Sequence, residues 1–317
     1  MKNEFLVRSE DISTSDYGVY PGSRTVEELL RNGLIILDKW IGPTSHSVSS
    51  CIKEIFSLRR AGHSGTLDPR VSGVLPITLE NACKVIPALQ KLDKEYVGVM
   101  HLHKDVDNKK LSKTIKKFTG EIVQIPPVRS AVARMERRRK VYSIEILDRK
   151  GREVCLLIKC EAGTYIRKLF HSIGKELGSG AHMSELRRTR VGCFDESKLV
   201  KIQDLVDAYH FWKEKQDESI REFILPVEAV TENMKKIIVK DSSIPSIVNG
   251  SPLYSGGISR IQKGIEKNDM VAILSLKGEL IALSKANMNS EEALKKKGLA
   301  AKTDRVIMEK NVYPKMK

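Results

Sequence analysis

Hydrophobic and polar positions along this chain follow two periods, and the changes between them mark its elements. From Lys94 to His103 the residues alternate, with Tyr96, Gly98, Met100 and Leu102 on one side and Val97, Val99, His101 and His103 on the other, which predicts a strand. Gly33 to Asp38 is instead a near-continuous apolar run and reads as a short buried strand. Gly42-Pro43-Thr44-Ser45 then makes a turn and a helix N-cap, and the helix behind it carries Val48, Ile52 and Ile55 on one face. Two more strand-like runs, Val141 to Leu147 and Val154 to Cys160, precede a helix around Thr164 to Leu177. In that helix Ile166, Leu169, Phe170, Ile173 and Leu177 recur at helical spacing. The first 25 residues are polar and irregular, with Asp16, Gly18, Pro21 and Gly22 marking loops, so they predict an extension lying on another part of the protein. After Phe223-Ile224-Leu225-Pro226 the pattern shortens, placing a boundary between 226 and 236. Beyond it, Val271 to Leu276 and Glu279 to Ser284 flank Lys277-Gly278 as a β-hairpin, and Asp304 to Glu309 reads as a last strand.

Composition narrows the class. At 317 residues, 41% hydrophobic and 30% charged, the chain is long enough for two globular domains with sizeable cores. A net charge of +15 points to a polyanionic partner, since clustered Lys and Arg release counterions from phosphates. The basic residues are bunched: Arg129, Arg134, Arg137, Arg138, Arg139 and Lys140 form one group, Arg187, Arg188 and Arg190 another. Either group alone is compatible with a solvated face. Together they favour a surface that tracks RNA or DNA. Pro126-Pro127 stiffens the approach to the first group, so a placed loop or strand is expected there. No apolar run approaches the roughly 18 residues needed to cross a bilayer, and Met1-Lys2-Asn3-Glu4 opens no secretory signal, so no membrane role and an intracellular place are expected. The five cysteines, Cys51, Cys83, Cys155, Cys160 and Cys193, are scattered without metal-ligand spacing and read as reduced core thiols. His101 and His103 face one side of their strand without a third ligand in view, so no metal site is expected.

One stretch concentrates candidate chemistry. In Gly62-His63-Ser64-Gly65-Thr66-Leu67-Asp68-Pro69 the glycines permit positive φ or close backbone approach, and Pro69 keeps Asp68 out of the helical region. The Asp68 carboxylate is thereby presented by a constrained loop. An Asp-Pro pair in a turn is often only structural, so the assignment needs support from elsewhere in the chain.

That support comes from a resemblance. Leu37-Asp38-Lys39-Trp40-Ile41-Gly42-Pro43-Thr44-Ser45-His46, the Asp68 stretch, Lys94-Glu95-Tyr96, Pro126-Pro127-Val128-Arg129-Ser130-Ala131-Val132, Gly163-Thr164-Tyr165-Ile166-Arg167 and residues 180–190 (GAHMSELRRTR) occur in order. The chain resembles the TruB family of pseudouridine synthases, and within it the dyskerin-type catalytic subunits of H/ACA guide ribonucleoproteins. The resemblance implies an α+β fold: a mixed, mainly antiparallel central sheet flanked by helices, with a small β-barrel PUA domain at the C-terminus. It implies an N-terminal extension over residues 1–30 packing on the PUA domain, a catalytic domain over 31–230 and a PUA domain over 231–317. Residues 237–250, 264–276 and 304–314 carry the PUA likeness.

The implied reaction isomerises uridine without a cofactor: the N-glycosidic bond breaks, the base turns, and the sugar rejoins through C5. The resemblance makes Asp68 the catalytic carboxylate. It could add to the sugar C1′, add to the base, or help remove the 2′ proton, and the sequence does not choose among these. Arg167 would keep the carboxylate ionised in a closed pocket. Tyr96 would stack on a uridine extruded from its strand and act near C5. His63, Tyr165 and Leu186 would line the substrate pocket, and His46, Arg129, Arg134, Arg187 and Arg188 would contact RNA. Implied partners are rRNA and tRNA, an H/ACA guide RNA, and three small proteins: a peptide-like subunit, a β-barrel turnover subunit and a kink-turn binder. The compact length is more like an archaeal member, hence cytoplasmic, with a nucleolar place if the source is a reduced eukaryote. Two positions depart from the family pattern. Trp40 stands where Pro is usual, altering the turn without touching the pocket, and Asn268 replaces a frequent Gly at a turn that Asn tolerates. With Asp68, Tyr96 and Arg167 all present, a scaffold that has lost catalysis is disfavoured, and a nuclease lacks clustered acidic metal ligands. A stand-alone tRNA enzyme would need the same pocket as a guided one.

Overall fold

A computed structural model gives the protein's fold and describes residues 4–126 and 135–314. The chain opens on a short strand, β1 (Phe5–Val7). The larger sheet follows, built from β2 (Gly33–Lys39), β3 (Ala61–His63), β4 (Ser72–Leu79), β5 (Lys94–Leu102), β6 (Gly120–Gln124), β7 (Arg137–Lys150), β8 (Glu153–Cys160), β9 (Ala181–Val191), β10 (Phe194–Asp195) and β11 (Leu225–Pro226). Its main order is β11-β2-β4-β9-β5-β8-β7-β6, with β3 beside β4 and β10 beside β9. All these pairings are antiparallel except β4 with β9. Helices α1 (Val26–Asn32), α2 (Ser45–Ile55), α3 (Ile86–Lys91), α4 (Asn108–Lys117), α5 (Ile166–Leu177) and α6 (Ile202–Lys215) complete this part. A second sheet takes β1 together with β12 (Lys235–Val239), β13 (Leu253–Tyr254), β14 (Ile258–Gln262), β15 (Met270–Leu274), β16 (Leu280–Ala286) and β17 (Leu299–Val306), in the order β1-β14-β12-β15-β16-β17-β13. The mixed, mainly antiparallel sheet flanked by helices is the architecture expected from the sequence.

The apolar run of β2 has a two-sided cause. Ile35 and Leu37 enter the main core with Leu75 and Ile77 of β4, whereas Leu34 and Ile36 face a second cluster with Val74. That second cluster also takes Val227 and Val230 from the connection, and Ala272, Leu274, Leu280, Leu283 and Ile307 from the C-terminal sheet. Both faces of β2 are therefore buried, which forbids the polar alternation of a half-exposed strand. A third cluster, including Ile237, Ile258, Val271 and Ile281, lies within the C-terminal part.

Helix α2 starts where its cap was expected, with the Thr44 hydroxyl accepting from Ser47 N at 3.0 Å. Asn268 adopts φ 80°, the conformation its turn needs. Four boundaries move. The extension is not wholly irregular, because β1 pairs with β14, Leu6 opposite Ile261. Strand β7 begins at Arg137, earlier than Val141, because its basic start is paired to β6 through Arg138 opposite Val123. The C-terminal hairpin has a longer connection than two residues. Its strands stop at Leu274 and restart at Leu280, because Glu279 is drawn to the Ser275 hydroxyl (2.9 Å) and the Tyr313 hydroxyl (2.6 Å). The last strand is Leu299–Val306, upstream of the expected Asp304 to Glu309, since its pairing runs through small buried residues such as Ala301, opposite Ala286.

One buried ion pair ties three segments together. Arg24 donates to both oxygens of Glu228 (2.7 and 2.8 Å), and the same carboxylate accepts from Leu280 N at 2.8 Å. The two side chains are only 10% and 12% exposed. Glu228→Ala leaves a buried guanidinium and a backbone amide without this acceptor, and is expected to destabilise the protein by about 3 kcal/mol or more. Urea unfolding of parent and variant measures this, and a change within ±0.5 kcal/mol would refute it.

Candidate active site

The loop between β3 and β4 is held from below by a buried ammonium. Lys39 at the end of β2 has no exposed surface, and its Nζ donates to Val71 O (2.8 Å), Trp40 O (2.9 Å), and Asp68 O and Pro69 O (3.4 Å each). Burial, with Arg188 near, lowers the Lys39 pKa. From one side, Ser45 at the start of α2 accepts from Leu67 N (2.8 Å) and donates to Leu67 O (3.2 Å). Gly65 takes φ 135°, open only to glycine without strain, and Val71 N closes the turn on Asp68 O at 2.9 Å. The backbone of the loop is thus fixed while its carboxylate points outward.

That carboxylate meets Arg167. The guanidinium, on the first turn of α5, donates to Asp68 Oδ2. The α5 N-terminus is itself latched to β6: Tyr165 N donates to Gln124 Oε1 (3.0 Å) and Gln124 Nε2 donates to Tyr165 O (3.1 Å). The sequence predicted a pair shut inside a pocket. Instead the Asp68 and Arg167 side chains are 50% and 57% exposed, and among the described residues no element covers them.

Tyr96 on β5 lies opposite Ile158 of β8 and Arg188 of β9, packed against the main core. Its phenol is hydrogen-bonded by Arg188; burial pushes its pKa up, and the guanidinium opposes that shift. Arg188 is 1% exposed, and it also donates to Val74 O (2.8 Å) and Gly65 O (3.3 Å). One guanidinium therefore links Tyr96 to the Asp68 loop. Leu186, buried on β9, packs on Gly98, where a Cβ would stand 2.8 Å from Leu186 Cδ1 and 3.1 Å from Phe170 Cζ. His63 ends β3, and its Nδ1 accepts from Gly65 N at 3.4 Å. Burial lowers its pKa, helped by Arg188 and by His46 at the exposed start of α2.

Asp68, Arg167, Tyr96, His63, Tyr165 and Leu186 thus come from β3, β5, β9, the start of α5 and one loop; Arg188 links Tyr96 to the loop beside His63, Arg167 meets Asp68, and Gln124 latches Tyr165. The expected basic surface needs correction. Arg188 is internal, because strand alternation turns it into the core beside Tyr96. Arg187 points the other way but is engaged by Asp38 (3.0 and 3.2 Å) and Glu196 (2.6 Å). Arg129 and Arg134 lie outside the described residues. Lys39, Ser45 and Gln124 were missed as site residues; a lysine closing an otherwise apolar strand was the one available signal. A third histidine, His182 of β9, does approach His103, Nδ1 to Nε2 at 2.9 Å. Yet among the described residues no group of three His, Cys, Asp or Glu side chains is arranged to hold a metal. Among them, too, no helix is long and apolar enough to cross a membrane.

Comparison with known proteins places this arrangement. Residues 53–166 match the N-terminal domain of TruB family pseudouridylate synthases, 167–232 the C-terminal domain of tRNA pseudouridylate synthase B, 235–307 the PUA domain and 1–49 the DKCLD domain. The chain is 47% identical over 317 residues to a "Probable tRNA pseudouridine synthase B" of Methanocaldococcus jannaschii, covering 99% of this chain and 94% of that one. It is 49% identical over 320 residues to the protein of the same name from Pyrococcus furiosus, covering 100% and 94%. This chain belongs to the TruB family of pseudouridine synthases. The family's fold extends over its whole length: a crystal structure of a Cbf5-Nop10-Gar1 complex superposes at TM-score 0.93 and 49% identity, covering 100% of this chain and 97% of that one. A structure of an H/ACA RNP bound to a substrate RNA containing 2′-deoxyuridine superposes at 0.91 and 47%, covering 99% and 98%.

In this pseudouridine synthase His63 gives the site a pH response. Its folded pKa lies below the ordinary 6.5, so the unfolded chain takes up the proton first as pH falls through 6.5 toward the folded value. Stability contributed by neutral His63 is complete above 6.5 and declines through that window. Titration of the His63 ring by NMR should give a midpoint under 6.5, and His63→Gln should flatten this part of the urea-midpoint profile. An equally steep decline in the variant would contradict the assignment.

Proposed function

We propose that the chain converts specific uridines of rRNA and tRNA to pseudouridine as the catalytic subunit of an H/ACA guide ribonucleoprotein, with Asp68 as its catalytic carboxylate. The observation that carries this reading is the Asp68–Arg167 pair, presented on an immobilised loop and linked through Arg188 to Tyr96. In the reaction the C1′–N1 bond breaks, the base turns, a C1′–C5 bond forms, and the C5 proton leaves while N1 takes up a proton. Asp68 acts on the sugar or base during cleavage, Arg167 holds its carboxylate by a charge-assisted bond, and Tyr96 stacks on the extruded base. His63, Tyr165 and Leu186 line the space that receives it, and the exposed His46 contacts the strand entering it. The half-exposed ion pair supports one further point: bound RNA covers it, and the electrostatic contacts strengthen as water leaves.

In this reading residues 31–230 form the catalytic domain, 231–317 the PUA domain that holds the guide RNA, and 1–30 an extension packed on it. Small subunits complete the particle, as Nop10 and Gar1 accompany Cbf5 in the similar complex. The particle works in the cytoplasm of an archaeal-type cell, in keeping with the archaeal relatives. The name of those relatives, tRNA pseudouridine synthase B, favours a second reading, a tRNA enzyme acting alone. Mapping pseudouridine in tRNA and rRNA, with and without guide RNA and small subunits, separates the two: modification of one tRNA position without a guide would favour the second.

Asp68→Asn should abolish release of the C5 hydrogen while RNA binding persists, and full activity in that variant would remove Asp68 from the chemistry. Tyr96→Ala should weaken substrate engagement by about 1–3 kcal/mol, with Tyr96→Phe close to the parent in binding. Equal binding by the two variants would refute the stacking role.

A further inference from the structure

The turn from β2 into α2, Trp40-Ile41-Gly42-Pro43, exposes two adjoining large apolar side chains: Trp40 is 41% and Ile41 65% accessible. The chain's other tryptophan, Trp212, is 6% accessible and belongs to the main core. The sequence placed Trp40 in a turn clear of the pocket, whereas the structure ties that turn to the Asp68 loop twice. Gly42 N donates to Pro69 O at 2.9 Å, and the single Lys39 ammonium holds both Trp40 O (2.9 Å) and Asp68 O (3.4 Å). The turn and the Asp68 loop are therefore one rigid lip. Its charge suits a polyanion: residues 40–47 and 69–73 contain no Asp or Glu, the carboxylate of Asp68 between them is paired with Arg167, His46 and Arg70 are exposed, and Asp38 just upstream is engaged by Arg187.

Extruding a uridine leaves the bases beside it without stacking partners, and an aromatic face next to the point of extrusion replaces what they lose. We infer that Trp40 is a stacking platform for an unstacked nucleotide adjoining the target uridine, with Ile41 closing the edge of that contact, so that Trp40 positions the substrate strand over Asp68. This inference rests on the reading of Asp68 as the reaction centre. Trp40 is a positioning residue, because it reaches the neighbouring base and not the reacting atoms.

The test uses the full chain assembled with a guide RNA and its small subunits. The substrate strand is complementary to the guide and carries 4-thiouridine on either side of the target. Near-ultraviolet crosslinks are expected at the peptide containing Trp40, and the strand should shield Trp40 fluorescence from acrylamide. Trp40→Ala should raise the substrate Kd and KM on the order of tenfold with kcat little changed, and Trp40→Phe should restore most of the affinity. Unchanged affinity in Trp40→Ala, no rescue by Phe, or shielding produced by a protein subunit before the strand is added would overturn the inference. Activity of Asp68→Asn, read in the same particle, decides the catalytic reading separately. Crosslinking at Trp40 reports the stacking contact whichever way that result falls.

Discussion

A buried lysine ammonium is the constraint on which the rest of this site depends. Lys39 draws four backbone carbonyls from two chain segments onto one nitrogen, with no exposed surface of its own. Desolvating an ammonium costs several kcal/mol, and charged hydrogen bonds return about 1.5–3 kcal/mol each when short, so the net stabilisation is small. What the arrangement supplies is definition. With the carbonyls of Trp40, Asp68, Pro69 and Val71 converging on one point, the loop has a single low-energy path, and the Asp68 carboxylate emerges at a fixed place and angle.

Arg188 performs the matching task within the sheet. Its guanidinium, internal on β9, connects three strands and the loop: Val74 O on β4, Gly65 O beside His63, and the phenol of Tyr96 on β5. Positive charge at this point helps to lower the pKa of Lys39 and His63 and moderates the upward push of burial on Tyr96. Arg188 thus shares the interior of this sheet with a second buried cation, Lys39, each held by backbone carbonyls.

The two sheets are joined by an apolar seam as well as by polar contacts. The second face of β2 and β4 shares a core with Leu274, Leu280, Leu283 and Ile307, and Arg24 with Glu228 clips the N-terminal segment to the same junction. Burial on both sides makes this a seam and not a hinge. The C-terminal sheet is thereby fixed against the face of β2 and β4 that lies opposite the main core.

Much of this was legible in the chain because local chemistry forced it. Alternation specified β5, the two-sided apolar run specified β2, helical spacing specified α5, and the glycines with Pro69 marked a constrained loop around Asp68. The ordered motifs connected Asp68, Tyr96 and Arg167 before any distance was known. Boundaries set by pairing were less accessible: β1 exists only because β14 offers an edge, and Glu279 shortens its hairpin through contacts with Ser275 and Tyr313. The sequence determined which residue types are candidates for the chemistry, since spacing and turn formation are local. The direction of each charge was decided by the tertiary structure alone. Neighbours Arg187 and Arg188 look alike in the sequence, yet strand alternation sends one to Asp38 and Glu196 and buries the other beneath the site.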